Sequence, residues 1–234
     1  MGEYEYVKKN YQKLIREIKG YEDKYGRSIT VVAVTKSGTD EEVISLVSAG
    51  ASDLGENRPT ELKRRAELLR EAGFTPRFHE IGNLQRNKVK LVINEASLIH
   101  SVGKLELAEE ISRQAVKLGI IVPVLIEVNS ALESLKGGVS PEKTEELFLK
   151  VRELPGISVN GLMTMGPNLD NAEDIRPYFR LTKEIFDRIN KEHGFDGEPI
   201  LSMGMSDSYA VAIEEGSTLI RVGRKLFEKT KGDR

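Results

Sequence analysis

Lys36 closes a short β-branched run, Ile29 to Thr35 (ITVVAVT), and is followed by Ser37-Gly38. A lysine at the end of such a run should carry its stem out of apolar surroundings, and partial desolvation frees an amine to act as a nucleophile. Taken alone, the position reads as a solvated lysine at the start of a loop. A second segment, LSMGMSDSYAVAIEEGSTLIRVG (Leu201–Gly223), has the makings of an anion site. Ser206 could cap the helix that follows it, and a helix N-terminus receives anions readily. Gly223 would let backbone amides approach a phosphate closely. An ordinary cap and an ordinary turn explain the two residues equally well. Arg221, two residues before Gly223, should face the same side of its strand; its plain alternative is a salt bridge at the rim. His79 and His100 raise the question of a metal. No carboxylate partner is evident for them, so they read as structural histidines and no metal is expected. Met163, Met165, Met203 and Met205 read as packing residues, some of them able to touch a bound ring.

These residues need a frame that brings them together. Residues 3–24 carry Tyr4, Val7, Tyr11, Leu14, Ile15, Ile18 and Tyr21 at spacings of three and four, which predicts an amphipathic helix. After the Ile29–Thr35 strand comes a helical pattern, DEEVISLVSAG, started by Thr39 or Asp40 and stopped by Gly50. The alternation then repeats. Strands are predicted at Ser52–Gly55, Arg77–Ile81, Ser97–Val102, Ile121–Asn129, Ser158–Met165, Ile200–Met203 and Thr218–Val222. Helices are predicted between them at Thr60–Ala72, Gln85–Ile93, Lys104–Leu118, Pro141–Glu153, Ala172–Glu192 and Ser206–Glu215, with Gly73, Gly119 and Gly194 as stops. Eight strands joined by helices suit a closed (β/α)8 barrel of the TIM type with an extra N-terminal helix. An open doubly wound sheet has the same alternation. The polar residues gather just past the carboxyl ends of the predicted strands: Lys36, Glu56 and Asn57, His79 and Asn83, His100 and Ser101, Asn129 and Ser130, Met163 and Thr164, Ser202 and Ser206, and Arg221. Barrel active sites form at that face.

Composition narrows the classes. A chain of 234 residues, 39% hydrophobic, fits one domain spanning residues 1–234. Charged residues make up 31% but nearly cancel, to a net charge of -2, which argues against nucleic acid as a main partner. There are no cysteines, so disulfides, thiolate metal sites and cysteine nucleophiles are excluded. The start, MGEYEYVKKN, lacks the apolar core of a secretory signal, and no apolar run suits a membrane span. A cytoplasmic protein with no membrane partner is expected.

The motifs resemble, in order and spacing, those of the pyridoxal 5′-phosphate (PLP) homeostasis protein family, also called the YggS or PROSC family. They are VVAVTK (Val31–Lys36), GEN (Gly55–Asn57), H-x-IG-x-LQ-x-NK (His79–Lys88) and HSV (His100–Val102). N-x-S with a downstream K-x-G (Asn129, Lys136, Gly138), GLM (Gly161–Met163), LSMGMS (Leu201–Ser206) and GSTLIRVG (Gly216–Gly223) complete the set. The resemblance covers nearly the whole chain. It implies a fold like the barrel domain of alanine racemase without that enzyme's second domain. It implies PLP as cofactor, Lys36 as its Schiff-base lysine, Ser206 and Gly223 around the phosphate, Arg221 facing the pyridine nitrogen, and Asn57 near the cofactor. It also implies a protein that binds and buffers PLP, influencing vitamin B6 and amino-acid balance, rather than one with a defined turnover. Four positions depart from the family's usual pattern: Glu80, where an aromatic residue is common; Gly103, where an acid is expected; Ser208, in place of an acid or amide; and Glu228, in place of a glycine.

Three functions can be set against one another. A PLP carrier, handing cofactor to apo-enzymes and acting as a monomer, is the first. A PLP-dependent amino-acid racemase with low activity is the second. The barrel should be complete by about Val222, leaving no room for the domain that supplies a racemase's second acid/base group. Tyr209 is the nearest candidate donor in sequence, and Asn57, Ser101 and Thr164 are too weakly acidic for that role. Arginine cannot accept a proton, so Arg221 should keep the pyridine nitrogen neutral and weaken the electron sink. A sugar-phosphate barrel enzyme using Lys36 in an aldol-type reaction fits the fold but not the motifs.

Overall fold

The computed structural model describes residues 4–133, 137–167 and 169–229; Lys136 of the K-x-G pattern lies outside them. Helix α1 (Glu5–Tyr25) buries Tyr6, Val7, Tyr11, Leu14 and Ile18, the three-and-four stripe expected of it, and stops at Gly26 in a left-handed conformation with φ 63°. Strand β1 (Thr30–Val34) leads to α2 (Asp40–Ser48), which Thr39 and Glu42 open with a reciprocal capping box. The alternation continues through β2 (Asp53–Glu56), α3 (Pro59–Glu71), β3 (Arg77–Glu80), α4 (Val89–Val92), β4 (Ala96–Val102) and α5 (Leu105–Leu118). It runs on through β5 (Val122–Glu127), α6 (Thr144–Arg152), β6 (Ile157–Met163), α7 (Arg176–Glu192), β7 (Ile200–Ser202), α8 (Tyr209–Glu214), β8 (Leu219–Val222) and α9 (Arg224–Phe227).

All eight strands pair in parallel in sequence order, and β8 returns to β1 with Thr30 beside Leu219 and Ala33 beside Val222. That pairing closes the sheet and decides for the barrel over the open alternative. Alternate residues then face two different cores. Val32, Leu98, Leu125, Met163 and Leu219 pack together in one small cluster inside the barrel. Their neighbours, such as Ala33, Leu54, Ile99, Val124, Ile126, Leu162 and Ile220, pack in the larger core shared with the helices. Each fully buried aliphatic side chain of this kind stabilises the fold by about 1.5–3 kcal/mol. Two residues beyond the inner apolar cluster, His100, Glu127 and Arg221 replace hydrocarbon with buried polar groups. The interior therefore turns polar towards the carboxyl ends of the strands.

Two expected helices are much shorter. Gln85–Ile93 resolves into a 3-10 turn at Arg86–Lys88 and the single turn α4, with Val89, Val92 and Ile93 reaching the core. The helix expected at Ser206–Glu215 begins at Tyr209. Ser208 accepts a bond from the Met205 N–H at 3.1 Å, so the preceding residues form a turn. Helix α1 lies outside the barrel against α2 and α9, and Asn10 fastens it there by donating to the carbonyls of Leu226 (3.2 Å) and Glu228 (2.9 Å).

Candidate functional site

Lys36 stands two residues beyond the end of β1, with its side chain exposed. The expected desolvation of its stem is therefore not realised: the strand buries Val34 and Thr35, but the lysine emerges from the mouth. The neighbours on either side follow from register. Val34 pairs with Gly55 on β2, so extending the ladder by two residues sets Lys36 level with Asn57. On the other side Ala33 pairs with Val222, which puts Gly223 beside Val34. A Cβ on Gly223 would lie 3.1 Å from the Val34 carbonyl oxygen, so this position has little room for a side chain. Lys36, Ser37, Glu56, Asn57, Arg58, Glu61 and Arg65 line an open cleft of about 370 Å³. A larger cleft of about 950 Å³ opens to one side, where Asn83, Ser101, Lys104 and Glu127 line it and Lys36 does not. Of the residues the sequence singled out for a cofactor, Lys36 and Asn57 line the smaller cleft, and Ser206, Arg221 and Gly223 line neither.

Ser206 is buried and close to this strand end, but it is not a helix cap. Its Oγ accepts the Gly223 N–H at 3.2 Å, which joins the two sequence-predicted residues directly. A hydroxyl that accepts one bond keeps its own proton to donate. With α8 only six residues long and starting at Tyr209, the anion chemistry here belongs to that hydroxyl and to the local backbone rather than to a helix dipole.

Arg221 is not at the rim. It is buried in the barrel interior, donating from Nη1 to Ser202 Oγ and from Nη2 to the Thr164 carbonyl at 3.0 Å. Burial pushes its guanidinium down to about 10, countered by the nearby Glu127 carboxylate, so it remains charged at neutral pH. Ser202 in turn meets His100 Nδ1 at 3.1 Å, His100 Nε2 meets His79 Nδ1 at 2.9 Å, and His79 Nε2 meets Asp53 Oδ1 at 3.0 Å. One consistent assignment runs a single way: arginine only donates and a carboxylate only accepts, so each hydroxyl and imidazole passes one hydrogen bond on towards Asp53. Complete burial holds His100 well below the ordinary histidine range, and therefore neutral. Although burial opposes it, the bonds from His79, Arg77 and Ser52 hold the Asp53 carboxyl well below the usual carboxylate range. The carboxylate partner of the histidines is thus Asp53, which the sequence reading did not single out. Strand parity places it inward, but nothing in the sequence says that β2, β3, β4, β7 and β8 link into one chain.

The other candidates separate. The Ser130 and Thr164 hydroxyls meet at 3.0 Å below the mouth. The buried Ser101 hydroxyl has no hydrogen-bond partner among the described residues. Tyr209 donates to Glu17 on α1 at 2.7 Å, so its hydroxyl is committed to the outer helix layer. Gly103, where an acid was expected, has a steric reason: a Cβ there would come within 2.7 Å of the Gly138 backbone.

Comparison with known proteins places this geometry in context. The family model for the alanine racemase N-terminal domain matches residues 8–230. The pyridoxal phosphate homeostasis protein of Aquifex aeolicus is 43% identical, over 86% of this chain and 87% of its own. That of one Helicobacter pylori strain is 33% identical over 92% of this chain and 96% of its own. The structure of PipY from Synechococcus elongatus with PLP bound superposes with a TM-score of 0.82 at 25% identity, over 95% of this chain and 100% of that one. An alanine racemase of Clostridium difficile shares the fold, with a TM-score of 0.75 at 18% identity over 95% of this chain and 60% of its own. By sequence match across nearly its whole length, and by its closed eight-stranded barrel, this chain belongs to the pyridoxal phosphate homeostasis protein family.

Proposed function

We propose that this protein binds pyridoxal 5′-phosphate at the carboxyl-end mouth of its barrel and carries or buffers it. The observation that carries this reading is the convergence on one strand end. Lys36 lies between Asn57 on the β2 side and the bonded pair Ser206–Gly223 on the β8 side. The residues present fit the cofactor. Ser206 keeps a hydroxyl proton to donate to a phosphate, and Gly223 supplies an amide where a side chain would crowd Val34. When bound, pyridoxal 5′-phosphate supplies an aldehyde that joins amines reversibly. Lys36 is assigned to hold it covalently, Ser206 and Gly223 to hold its phosphate, Arg221 to face its ring nitrogen, and Asn57 to line its edge. The relatives named for PLP homeostasis and the PLP-bound PipY structure support the same reading.

Arg221 disfavours chemistry that needs a strong electron sink, such as transamination and decarboxylation. It is charged at neutral pH and fixed by Ser202 and Thr164, so it cannot take a proton and would leave a ring nitrogen neutral. With Tyr209 committed to Glu17, the donor that a racemase would need is not supplied by that residue either. The recipients are proposed to be apo forms of PLP enzymes, and the working form a cytoplasmic monomer. No helix among the described residues is long and apolar enough to cross a membrane. The test is to load the purified protein, reduce it with borohydride, map the modified lysine, and measure transfer to an apo-enzyme. A label on Lys36 with transfer supports the reading. A label on another lysine, or no transfer, overturns it.

A further inference from the structure

Behind the Lys36 turn, between β1–β3 and α3, lies a buried group of charges that the cofactor reading does not use. Arg65 reaches across from α3 and donates from Nη2 to the Gly38 carbonyl at 2.6 Å. Its Nε lies 3.3 Å from Glu56 Oε1, and that same oxygen accepts the Thr35 hydroxyl. Thr35 and Gly38 flank Lys36-Ser37, so one ion pair fastens the turn at both ends. Gly38 is also wedged from the far side, since a Cβ there would fall 2.5 Å from the Phe227 ring. On the next strand Glu80, with no exposure at all, accepts the Gly82 N–H at 3.0 Å. Gly82 presses on Asn57 so closely that a Cβ would come within 2.2 Å of the Asn57 carbonyl oxygen.

A buried ion pair is a poor way to stabilise a fold, because apolar residues of the same volume often do as well or better. Stability alone therefore does not explain why one is placed behind this turn. We infer that Glu56 and Arg65 are positioning residues for Lys36: the pair fixes the backbone of its turn so that the amine is presented to the cofactor aldehyde. The inference rests on the PLP reading above. In the capture step Nζ forms a double bond to the aldehyde carbon, the aldehyde oxygen leaves as one water, and nothing is oxidised or reduced. The pair lines the Lys36 cleft but is not among the residues assigned to the phosphate or the ring, so its loss should slow the covalent step and leave the affinity for the rest of the molecule nearly unchanged.

The experiment separates those two quantities. Pyridoxine 5′-phosphate has the same ring and phosphate but no aldehyde, so its Kd reports non-covalent binding. Borohydride trapping of PLP at Lys36, followed over time, reports capture. The variants are Arg65→Lys, which keeps the charge but loses the fork, and the double variant Glu56→Gln/Arg65→Met, which leaves no unpaired buried charge. Leu62→Ala, a cavity on the same helix, serves as a control for general loosening. The double variant should capture at least tenfold more slowly with the pyridoxine 5′-phosphate Kd within twofold of wild type, Arg65→Lys should fall between, and Leu62→Ala should not show that split. Unchanged capture in the double variant, or an equal loss of both quantities there and in Leu62→Ala, overturns the inference. A wild-type protein that binds pyridoxine 5′-phosphate but captures nothing at Lys36 overturns the assignment of Lys36 beneath it, which is a distinguishable failure.

Discussion

Replacing Ser206 by alanine isolates the phosphate end of the site. Among the described residues the hydrogen bond made by that hydroxyl is the one it accepts from the Gly223 N–H, at 3.2 Å. Gly223 is half-buried, so its amide can turn to water when the oxygen is removed. The fold should therefore lose no more than about 1 kcal/mol, the net worth of an ordinary hydrogen bond. The bound state loses more, because the donated proton of Ser206 would meet a charged phosphate. Hydrogen bonds to charged groups contribute about 1.5–3 kcal/mol, so the PLP Kd should rise roughly 10- to 150-fold. Phosphate-free pyridoxal, captured through Lys36 alone, should bind wild type and Ser206→Ala equally. The assay is a pair of absorbance titrations, one with each aldehyde, alongside urea unfolding of both proteins. Equal weakening for the two ligands would show that Ser206 acts through general structure. No weakening for PLP would remove it from the phosphate site.

Other outcomes follow from the same geometry. Lys36→Ala should abolish borohydride-stable PLP labelling while leaving the melting temperature within a few degrees, because the residue is exposed; persistent labelling at another lysine refutes the assignment. Glu80 is pushed up by burial from 4.5 to about 7, so it holds a proton more tightly folded than unfolded. Stability should therefore fall as pH rises between those values, by at most about 3 kcal/mol. Glu80→Gln, which still accepts from Gly82, should flatten that slope in urea unfolding at pH 5 and pH 7.5, and an unaltered slope would place the effect elsewhere. His100→Leu should destabilise the fold by roughly 2–4 kcal/mol by leaving His79 Nδ1 without a partner and the Ser202 hydroxyl proton without an acceptor, and a loss under 1 kcal/mol would show that the buried chain is not cooperative. Incubation of loaded protein with L- and D-amino acids should release PLP without racemisation; turnover near the median enzyme rate of about 10 s⁻¹ would overturn the carrier reading.

Much of the site was legible because strand ends are local features. Lys36 follows a β-branched run, and Arg221 and Gly223 share a strand face by parity alone. Family motifs supplied the cofactor, which no residue pattern here specifies by itself. The role expected of Ser206 as a helix cap is not the one it plays: a hydroxyl chooses among nearby donors, and the winning one, Gly223, follows the next strand. Arg221 was expected facing a ligand or on the rim. Its burial beside Ser202 and Thr164 depends on neighbours contributed by β6 and β7.

The sequence by itself determined the alternation of strands and helices, the glycine stops, the apolar face of α1 and the strand end on which Lys36 stands. Those depend on periodicity and on the conformational preferences of single residues, which act over a few positions. Only the tertiary structure decided that the sheet closes, with Thr30 against Leu219. Closure in turn decided that Asp53, His79, His100, Ser202 and Arg221 form one hydrogen-bonded chain, and that Arg65 reaches Gly38 behind the lysine. Such contacts join strands and helices far apart in the chain. Their energies depend on burial and on hydrogen-bond geometry at about 3 Å, and neither exists until the barrel has brought its strands together.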